Sequence, residues 1–529
     1  MKHIIIALAL LAFTPSLATG QSKKVRKQNT TQVAKDTLNI DNLRKKAEAG
    51  DSNAQNTLGV CYYTGNKVAK DYETALKWWS VAAKASHAEA IANMALCYQL
   101  GHGTKRDSVM AVKLYKQSIK RGNKALVTER ENRLKENVNL FDACFMADIF
   151  EEGTVVPQDL NKAVKYHIMA GNAGSKASFV KAANIYEKDK NYPQAFKLYA
   201  QAASSEVEAS YKCGEYQYKG IGTAVNKAEA AKYLKVAAKH QIPNAQIMLG
   251  DLYFKGEGVE KSVEKALKLY KLAALKDNPV AMWNVGLIYI DGADDVKEDL
   301  QRGLYWMAKA SEKGMKQNFN KKLNEVNGGE NDGWKDTDFY EYVKGMVNLY
   351  GNDKKVEEAF GIFGKLEKKG LTLGTTMKAL CFTDKDWKKA DDKKAVNLLT
   401  KASNGNDPSA CYELALRYEK GIGVKADKDK ALRLIQKAAD KGYAMAFCHL
   451  GMLYNEGKMV DKNITKAIEN FLKAMQEGYL SPQAANILSQ CYSQGLGGLR
   501  KDPEMAKAVL TKAVKTDPVM ILVKDLNIE

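Results

Sequence analysis

A pattern of small and aromatic residues repeats along this 529-residue chain with a period close to 36 residues. One copy runs from Ala245 to Gly258 as Ala-x4-Gly-x2-Tyr-x2-Gly-x-Gly, and a second runs from Ala410 to Gly423 with alanine at the second position. Five further copies keep the first three positions and begin at Ala54, Ala90, Ala281, Ala446 and Ala484. Self-similarity at a fixed period of this size predicts an array in which each repeat packs only on its neighbours.

Each copy indicates two antiparallel helices. Ala54, Gly59 and Tyr62 lie at i, i+5 and i+8, so they share one face of a first helix, and glycine then ends that helix. An acidic residue opens the second helix as an N-cap, at Asp71, Asp107, Asp159, Asp299, Asp427 and Asp502. The second helix carries alanines seven residues apart, with a core aromatic between them at Trp79, Tyr115, Tyr199, Tyr270 and Phe471. We therefore predict an all-α fold, an α/α solenoid of about twelve helix-turn-helix repeats.

The unit closely resembles the Sel-one-like repeat, a relative of the tetratricopeptide repeat. The run Leu249–Val259 matches that pattern, and its longer glycine-bearing turn separates it from the 34-residue tetratricopeptide form. The copy at Ala183 is shortened, and the copies near Tyr350 and Phe382 are degenerate. The resemblance implies a superhelix of an exported bacterial member that binds protein partners and has no catalysis of its own.

The first twenty residues are typical of a secretory signal peptide. Lys2 and His3 precede the apolar stretch Ile4–Phe13, which is too short to cross a bilayer, and small residues up to Gly20 offer a cleavage site. An apolar first helix of the fold is the alternative. We expect a periplasmic or secreted protein with no transmembrane segment in the mature chain.

The composition of the chain and the interruptions of the 36-residue spacing divide the rest of the sequence into a linker, two repeat blocks and a loop. Residues 21–44 are basic and poor in apolar residues, which predicts a flexible linker. Two repeat blocks, 45–318 and 336–529, flank a glycine-rich loop or hinge at 319–335; an ordered loop within one superhelix is the alternative. The charged segment Lys124–Asn139 breaks the register, and we expect it to lengthen a helix.

The net charge of the chain bears on its partners. A net charge of +19 favours binding to anionic surfaces, although lysines spread over nearly all repeats suit an ordinary solvated surface. Export makes nucleic acid the least favoured anionic partner.

The repeat positions of the eight cysteines favour buried thiols, because equivalent positions on stacked helices lie too far apart for disulfides. A disulfide between Cys411 and Cys448 is the one exception that we leave possible.

No catalytic arrangement stands out. Ser178-x-x-Lys181 and Ser262-x-x-Lys265 match the S-x-x-K motif of penicillin-binding enzymes, to which some exported relatives of this repeat class are linked, but the accompanying S-D-N and K-T-G motifs are absent. Ser262 also stands where other repeats place the helix-opening aspartate. The isolated histidines and paired carboxylates suit surfaces and turns, at His87, His102, His240, Asp294–Asp295 and Asp391–Asp392.

The function predicted from these patterns is a non-catalytic exported scaffold that binds proteins or peptides on the inner surface of the repeat array. No catalytic, cofactor or metal residue is predicted, and no cofactor. The contact residues and the oligomeric state stay open. Two other functions stay open: a cell-envelope protein that binds anionic glycan, and a cell-wall hydrolase or penicillin-binding protein.

Overall fold

The computed structural model describes residues 39–294, 296–325, 333–526 and 528. The predicted signal peptide and most of the predicted linker lie outside these residues, as do Asp295 and residues 326–332. The described chain divides into two compact units, one ending at Ala209 and the second beginning at Ser210. No helix among the described residues is long and apolar enough to cross a membrane.

The first unit contains a leading helix, four repeat pairs and one inserted helix. Its helices are α1 Ile40–Glu48, α2 Ser52–Thr64, α3 Tyr72–Lys84, α4 Ala88–Leu100, α5 Ser108–Lys120, α6 Ala125–Glu136, α7 Leu140–Glu152, α8 Leu160–Asn172, α9 Lys176–Lys188 and α10 Tyr192–Ala202. The next helix, α11 Val207–Lys219, spans the division between the units. The repeat pairs are α2/α3, α4/α5, α7/α8 and α9/α10.

The second unit continues the pairs to the end of the chain. Its helices are α12 Lys227–Lys239, α13 Pro243–Lys255, α14 Val263–Ala274, α15 Pro279–Asp291, α16 Leu300–Ala310, α17 Lys316–Asn324, α18 Asp338–Tyr350, α19 Val356–Lys368, α20 Thr372–Cys381, α21 Asp392–Asn404, α22 Pro408–Lys420, α23 Lys428–Asp440, α24 Ala444–Glu456, α25 Ile464–Gln476, α26 Pro482–Gln494, α27 Pro503–Leu510 and α28 Pro518–Asp525. A π-helical turn, Ser311–Met315, joins α16 to α17. The described residues thus form twelve helix pairs, and the predicted all-α helical-repeat solenoid is confirmed.

The predicted caps explain where the helices begin and end. Each of the six aspartates named above accepts a hydrogen bond from a backbone N–H in the first turn of the second helix. Gly256 ends α13 with φ +72°, a left-handed conformation that a side chain disfavours. The helix boundaries therefore coincide with local capping signals.

The small residue of the first helix accommodates the aromatic residue of the second helix in the same repeat. A Cβ at Gly59 would lie 2.5 Å from the indole of Trp79, and one at Gly250 would lie 2.6 Å from the ring of Tyr270. All five aromatics predicted as core on the second helices are buried. The repeat signature therefore encodes the contact between the two helices of each pair.

The second glycine of the Gly-x-Gly turn makes the contact between repeats. A Cβ at Gly103 would lie 2.5 Å from the carbonyl oxygen of Tyr72, at the start of the preceding repeat's second helix. Gly258 approaches the backbone of Lys227 and Ala228 in the same way. Glycine is required there because the two backbones pass too close for a side chain. These glycines therefore serve the stacking of repeats.

The inserted segment 124–139 differs from expectation. It forms a separate helix, α6, and does not lengthen a neighbouring one. Arg130 on α6 is buried and pairs with Asp142 on α7, while its guanidinium carbon lies 4.0 Å from the ring centre of Tyr115. Because this ion pair and stacking tie α6 to both flanking repeats, the extra residues form an element of the core.

The predicted division at residues 319–335 also differs. Residues up to Asn324 are helical, and Phe319 on α17, Trp334 and Phe339 on α18 pack together within one core. That core extends from Ile290 to Leu526. The described residues on either side of the loop share this core, and the two compact units divide after Ala209. At the other end of the array, helix α1 begins at Ile40, inside the predicted linker 21–44.

Contacts within the second unit join distant parts of the chain. Residues of α14, α16 and α17 and of the turns after α14 and α18 contact the ends of the later repeats and the chain's last helix. The pairs are Lys271–Glu477 at 2.6 Å, Lys309 to the Gly478 carbonyl at 2.6 Å, Lys512–Asp277 at 2.5 Å, Lys316–Asp525 at 3.0 Å and Asn352 to the Lys524 carbonyl at 2.9 Å. The second unit therefore closes on itself, and its inner face is enclosed.

Candidate binding site

The enclosed face of the second unit surrounds a cavity of about 180 Å³. The first helices of four successive repeats, α18, α20, α22 and α24, contribute to its wall, and α16 and the start of α28 complete it. We call this cavity the aromatic chamber and define it by Tyr305, Trp306, Tyr342, Tyr350, Glu413, Tyr443, Tyr479 and Asp517. Its volume suits one side chain or a small organic group, since a cavity of about 150 Å³ holds benzene.

Several hydroxyl groups of the chamber lack protein partners. Tyr342 is 1% exposed, and its hydroxyl makes no hydrogen bond to any described residue. The hydroxyls of the half-buried Tyr350 and Tyr479 make none either. Tyr305 differs, because its hydroxyl donates to the carbonyl of Gly478 at 3.0 Å. Because the other three hydroxyls line one cavity and have no partner in the described chain, they are available to hydrogen-bond a polar group that enters it.

Two carboxyl groups of the chamber are weakly compensated. Glu413 on α22 lies 4.0 Å from Arg417, its only ion-pair partner among the described residues. Asp517 caps α28 by accepting the N–H of Val519 at 2.9 Å and forms no ion pair within the described chain. Burial raises the pKa of both carboxyls. Each of these anions would gain from a nearby cation.

The other two charged residues on the chamber wall have partners. Arg302 pairs with Asp299 at 3.1 Å and donates to the carbonyl of Lys441, and Glu477 accepts from Lys271 at 2.6 Å. These groups hold α14 and α16 against the ends of the tenth and eleventh repeats. Their role is to close the chamber, which leaves Glu413 and Asp517 as the charges available to a ligand.

The two serines that match S-x-x-K lie in structural positions. Ser178 is buried on α9, where its hydroxyl donates to Ser175 at 2.9 Å, and Lys181 pairs instead with Asp148 at 2.8 Å. Ser262 is the N-cap of α14 and accepts the backbone N–H of Lys265 at 3.3 Å. Neither serine has a lysine amine as a hydrogen-bond partner, so neither has the pairing that activates a nucleophile.

The predicted histidines and the described members of the carboxylate pairs also lie outside the chamber. His87 is the N-cap of α4, and the ring of His102 stacks on Tyr72 with centres 4.3 Å apart. His240 is the C-cap of α12. Asp391 is the N-cap of α21, and Asp294 pairs with Lys261 at 3.2 Å. The structure brings none of these groups together.

All eight cysteines are free thiols in the described chain. Seven are buried and Cys144 is half-buried. Cys411 lies 3.1 Å from the hydroxyl of Ser403, and Cys448 lies 3.4 Å from that of Ser481. Cys411 and Cys448, the pair for which a disulfide was left possible, therefore contact different serines.

The sequence patterns did not indicate one cluster of possible metal ligands. Candidate ligand atoms of Asp148, Glu151 and His167 lie within 4.8 Å of one another in the first unit. Nε2 of His167 is 2.8 Å from Glu151, and Lys181 already occupies Asp148. Burial lowers the pKa of His167. These internal bonds account for the cluster, and we assign no ion to it.

The chamber residues were not predicted from the sequence either. Tyr342 and Tyr350 stand on α18, in a repeat without the full signature, while Tyr443 and Tyr479 stand in turns between repeats. No repeat-signature position in the sequence coincides with these four tyrosines. Their meeting depends on closure of the second unit.

The model of the Sel1 repeat matches eleven of the twelve helix pairs, and the matched residues make up more than half of the chain. The matches are 52–87, 88–123, 143–175, 186–206, 207–241, 243–278, 279–315, 380–407, 408–443, 444–479 and 482–514. This chain belongs to the Sel1 repeat family. The pair α18/α19, which contributes Tyr342 and Tyr350 to the chamber, is the one that this model does not match. Sel1 repeat proteins generally act as scaffolds for protein interactions and are typically non-catalytic.

The similarity to individual proteins is partial. Human protein sel-1 homolog 2 is 40% identical over 80 residues, which cover 14% of this chain and 12% of that protein. A protective antigen of uropathogenic Escherichia coli with an SLR fold is 24% identical, with a TM-score of 0.34, over 90% of this chain and 99% of that one. A Sel1 repeat protein from Oxalobacter formigenes is 21% identical, with a TM-score of 0.24, over 56% and 96%.

Proposed function

We propose that this Sel1 repeat protein is an exported, non-catalytic scaffold that binds a protein partner by receiving part of it in the aromatic chamber. The observation that supports this function is the group of unpartnered tyrosine hydroxyls around one cavity. Tyrosine anchors in pockets are typical of protein interfaces, where they contribute a large share of the affinity. The surrounding repeats would supply further modest contacts.

The charge of the chamber favours a protein partner over an anionic glycan. Its wall carries three carboxyl groups, Glu413, Glu477 and Asp517, against the single guanidinium of Arg302. An acidic sugar would be repelled there, although the chain as a whole is basic. The hydrolase alternative has no support from Ser178 or Ser262, whose hydroxyls serve helix geometry.

Site-specific photocrosslinking in cells tests the scaffold function. A photoreactive amino acid replaces Met445, a half-buried residue of the chamber wall, and a control carries it at Val109, which is exposed in the first unit. We expect a discrete protein adduct from position 445 that is absent from position 109, and mass spectrometry then locates the crosslinked segment. Recovery of uncrosslinked chain alone from position 445, or of glycan adducts, would contradict the proposal.

Export is a separate part of the proposal and rests on residues 1–20. Its test is the N-terminal sequence of the protein recovered from cell fractions. We expect a mature chain that begins near Gln21 in the periplasmic or secreted fraction. An intact Met1 in the cytoplasmic fraction would show that the segment is not a signal peptide.

A further inference from the structure

We infer that the aromatic chamber binds a cationic side chain, the ammonium of a lysine or the guanidinium of an arginine, presented by the partner. The inference rests on the proposed function and names the chemistry that the chamber selects. It is carried by an arrangement of aromatic faces, unpartnered hydroxyls and carboxylates that converge on one cavity.

The aromatic faces are the first part of that arrangement. Lysines stack on several repeat tyrosines of this chain, as in Lys227 over Tyr218 at 3.6 Å. Within the chamber, Lys309 lies 5.7 Å from the ring centre of Tyr305 and 5.2 Å from that of Trp306. The rings of Tyr342, Tyr350, Tyr443 and Tyr479 have no lysine or arginine over them within the described chain. Aromatic faces attract cations, and the attraction grows when the site excludes water. These four rings of the chamber wall are the ones that an incoming cation would contact.

The carboxylates are the second part. Glu413 and Asp517 approach the chamber from different elements, α22 and the start of α28. The cations around the chamber already have partners, since Arg302 is held by Asp299, Lys271 by Glu477 and Lys309 by the carbonyl of Gly478. A cation that entered the chamber would be the first close partner of Asp517 and would add to the 4.0 Å contact of Glu413 with Arg417. Such charge-assisted bonds are about twice as strong as neutral ones.

The hydroxyls and the size of the cavity define the occupant further. An ammonium or guanidinium only donates hydrogen bonds, and the phenol oxygens of Tyr342, Tyr350 and Tyr479 are free to accept them. A volume of about 180 Å³ holds one long side chain and excludes a folded surface. Tyr350, Tyr443 and Tyr479 are half-buried, so the chamber is open to solvent at these residues. A basic side chain therefore suits the cavity in charge, hydrogen bonding and length.

Peptide binding to the purified full-length chain tests this assignment by calorimetry. The probe is acetyl-Gly-Gly-Lys-Gly-Gly-amide, with matched peptides that carry norleucine, citrulline, arginine or glutamate in place of lysine. We expect the lysine and arginine peptides to bind at least about tenfold more tightly than the norleucine and citrulline peptides, and the glutamate peptide to bind most weakly. Equal affinity for lysine and norleucine, preference for glutamate, or no binding by any peptide would overturn the inference.

Single substitutions connect that preference to the chamber. Glu413→Gln keeps the shape of the side chain and should weaken the lysine peptide about tenfold while leaving the norleucine peptide unchanged. Glu504→Gln, at an exposed pair with Lys507, is the matched control and should change neither. Because Asp517 caps α28, Asp517→Asn is used only after its thermal unfolding matches the native chain. Unchanged lysine affinity in Glu413→Gln would refute the assignment.

The photocrosslinking experiment separates this inference from the proposed function. A partner segment captured at position 445 that contains no lysine or arginine would refute the cationic occupant and leave the scaffold function standing. Absence of any adduct, with lysine-selective peptide binding retained, would leave the chamber chemistry standing and refute the scaffold function. A captured segment with a basic residue at the crosslink supports both.

Discussion

The amine of Lys271 lies 2.6 Å from a carboxylate oxygen of Glu477, although 206 residues separate them in the chain. This ion pair joins the sixth repeat to the end of the eleventh and closes the aromatic chamber. Both side chains are mostly buried, so the pair is screened less than a surface pair.

Breaking that pair should loosen the second unit. We expect Lys271→Met and Glu477→Gln each to lower the free energy of unfolding by roughly 1–3 kcal/mol, with a coupling energy between them in a double-mutant cycle. The exposed pair Glu504–Lys507 is the control and should show almost no coupling. Denaturant unfolding measures both cycles. Equal coupling energies in the two cycles would show that Lys271–Glu477 is only a surface pair.

Gly478 lies at the same contact between α16 and the end of the eleventh repeat. Its φ is +91°, and a Cβ there would lie 2.8 Å from the indole of Trp306. Gly370 has φ +89° and nothing within 4 Å of such a Cβ. Gly370→Ala should therefore cost only the backbone strain, roughly 1–2 kcal/mol, whereas Gly478→Ala should cost about 1–3 kcal/mol more through overpacking. Thermal unfolding compares the two variants, and similar costs would mean that the indole moves aside freely.

The ion pair between Arg130 and Asp142 should be the most sensitive in the first unit. Both side chains are almost fully buried, so Asp142→Asn leaves a buried guanidinium without its anion. We expect a loss of about 3–5 kcal/mol in the free energy of unfolding. Glu129→Gln, which breaks a partly exposed pair with Arg133, should cost less than about 1 kcal/mol. A small effect of Asp142→Asn would show that α6 does not depend on this pair.

Glu367 should make stability depend on pH in the acid range. Hydrogen bonds from Lys378 and then Lys401 lower the pKa of this carboxyl from 4.5 to about 2. Since the folded pKa lies below the unfolded one, the stabilisation is complete above about pH 4.5 and is lost as the pH falls towards 2. Because Lys401 is well exposed, solvent screens part of this interaction, and we expect Glu367→Gln to cost roughly 1–2 kcal/mol at pH 7 and progressively less below pH 4.5. A cost that stays constant from pH 7 to pH 3 would contradict this assignment.

The eight thiols should remain reduced in the native protein. The structure places them as free cysteines, with Cys411 and Cys448 beside separate serines. We expect alkylation in denaturant without reductant to label all eight, as measured by the mass of the intact chain. Burial raises the pKa of Cys97 to about 12, so this thiol should react only after unfolding. Fewer than eight labels, restored by prior reduction, would reveal a disulfide.

Local residues were enough to predict most of the fold. The aspartate caps, the glycine ends and the buried aromatics such as Trp79 depend on neighbours within one repeat or the next, and the structure confirms them. The separate helix within 124–139 and the shared core on either side of the loop within 319–335 were not predictable in this way. The pairing of Arg130 with Asp142 and the packing of Trp334 on Phe339 have no periodic signal in the sequence.

The sequence by itself therefore determined the family, the helix pairs and the stacking of one repeat on the next, because each of these depends on contacts within about 36 residues. Only the tertiary structure decided where a ligand group has room. Tyr342, Glu413 and Asp517 come from separate repeats and from the last helix, and they meet because α14 and α16 contact residues 441–525. Such contacts depend on the small rotation accumulated over many repeats, and no single repeat encodes that sum.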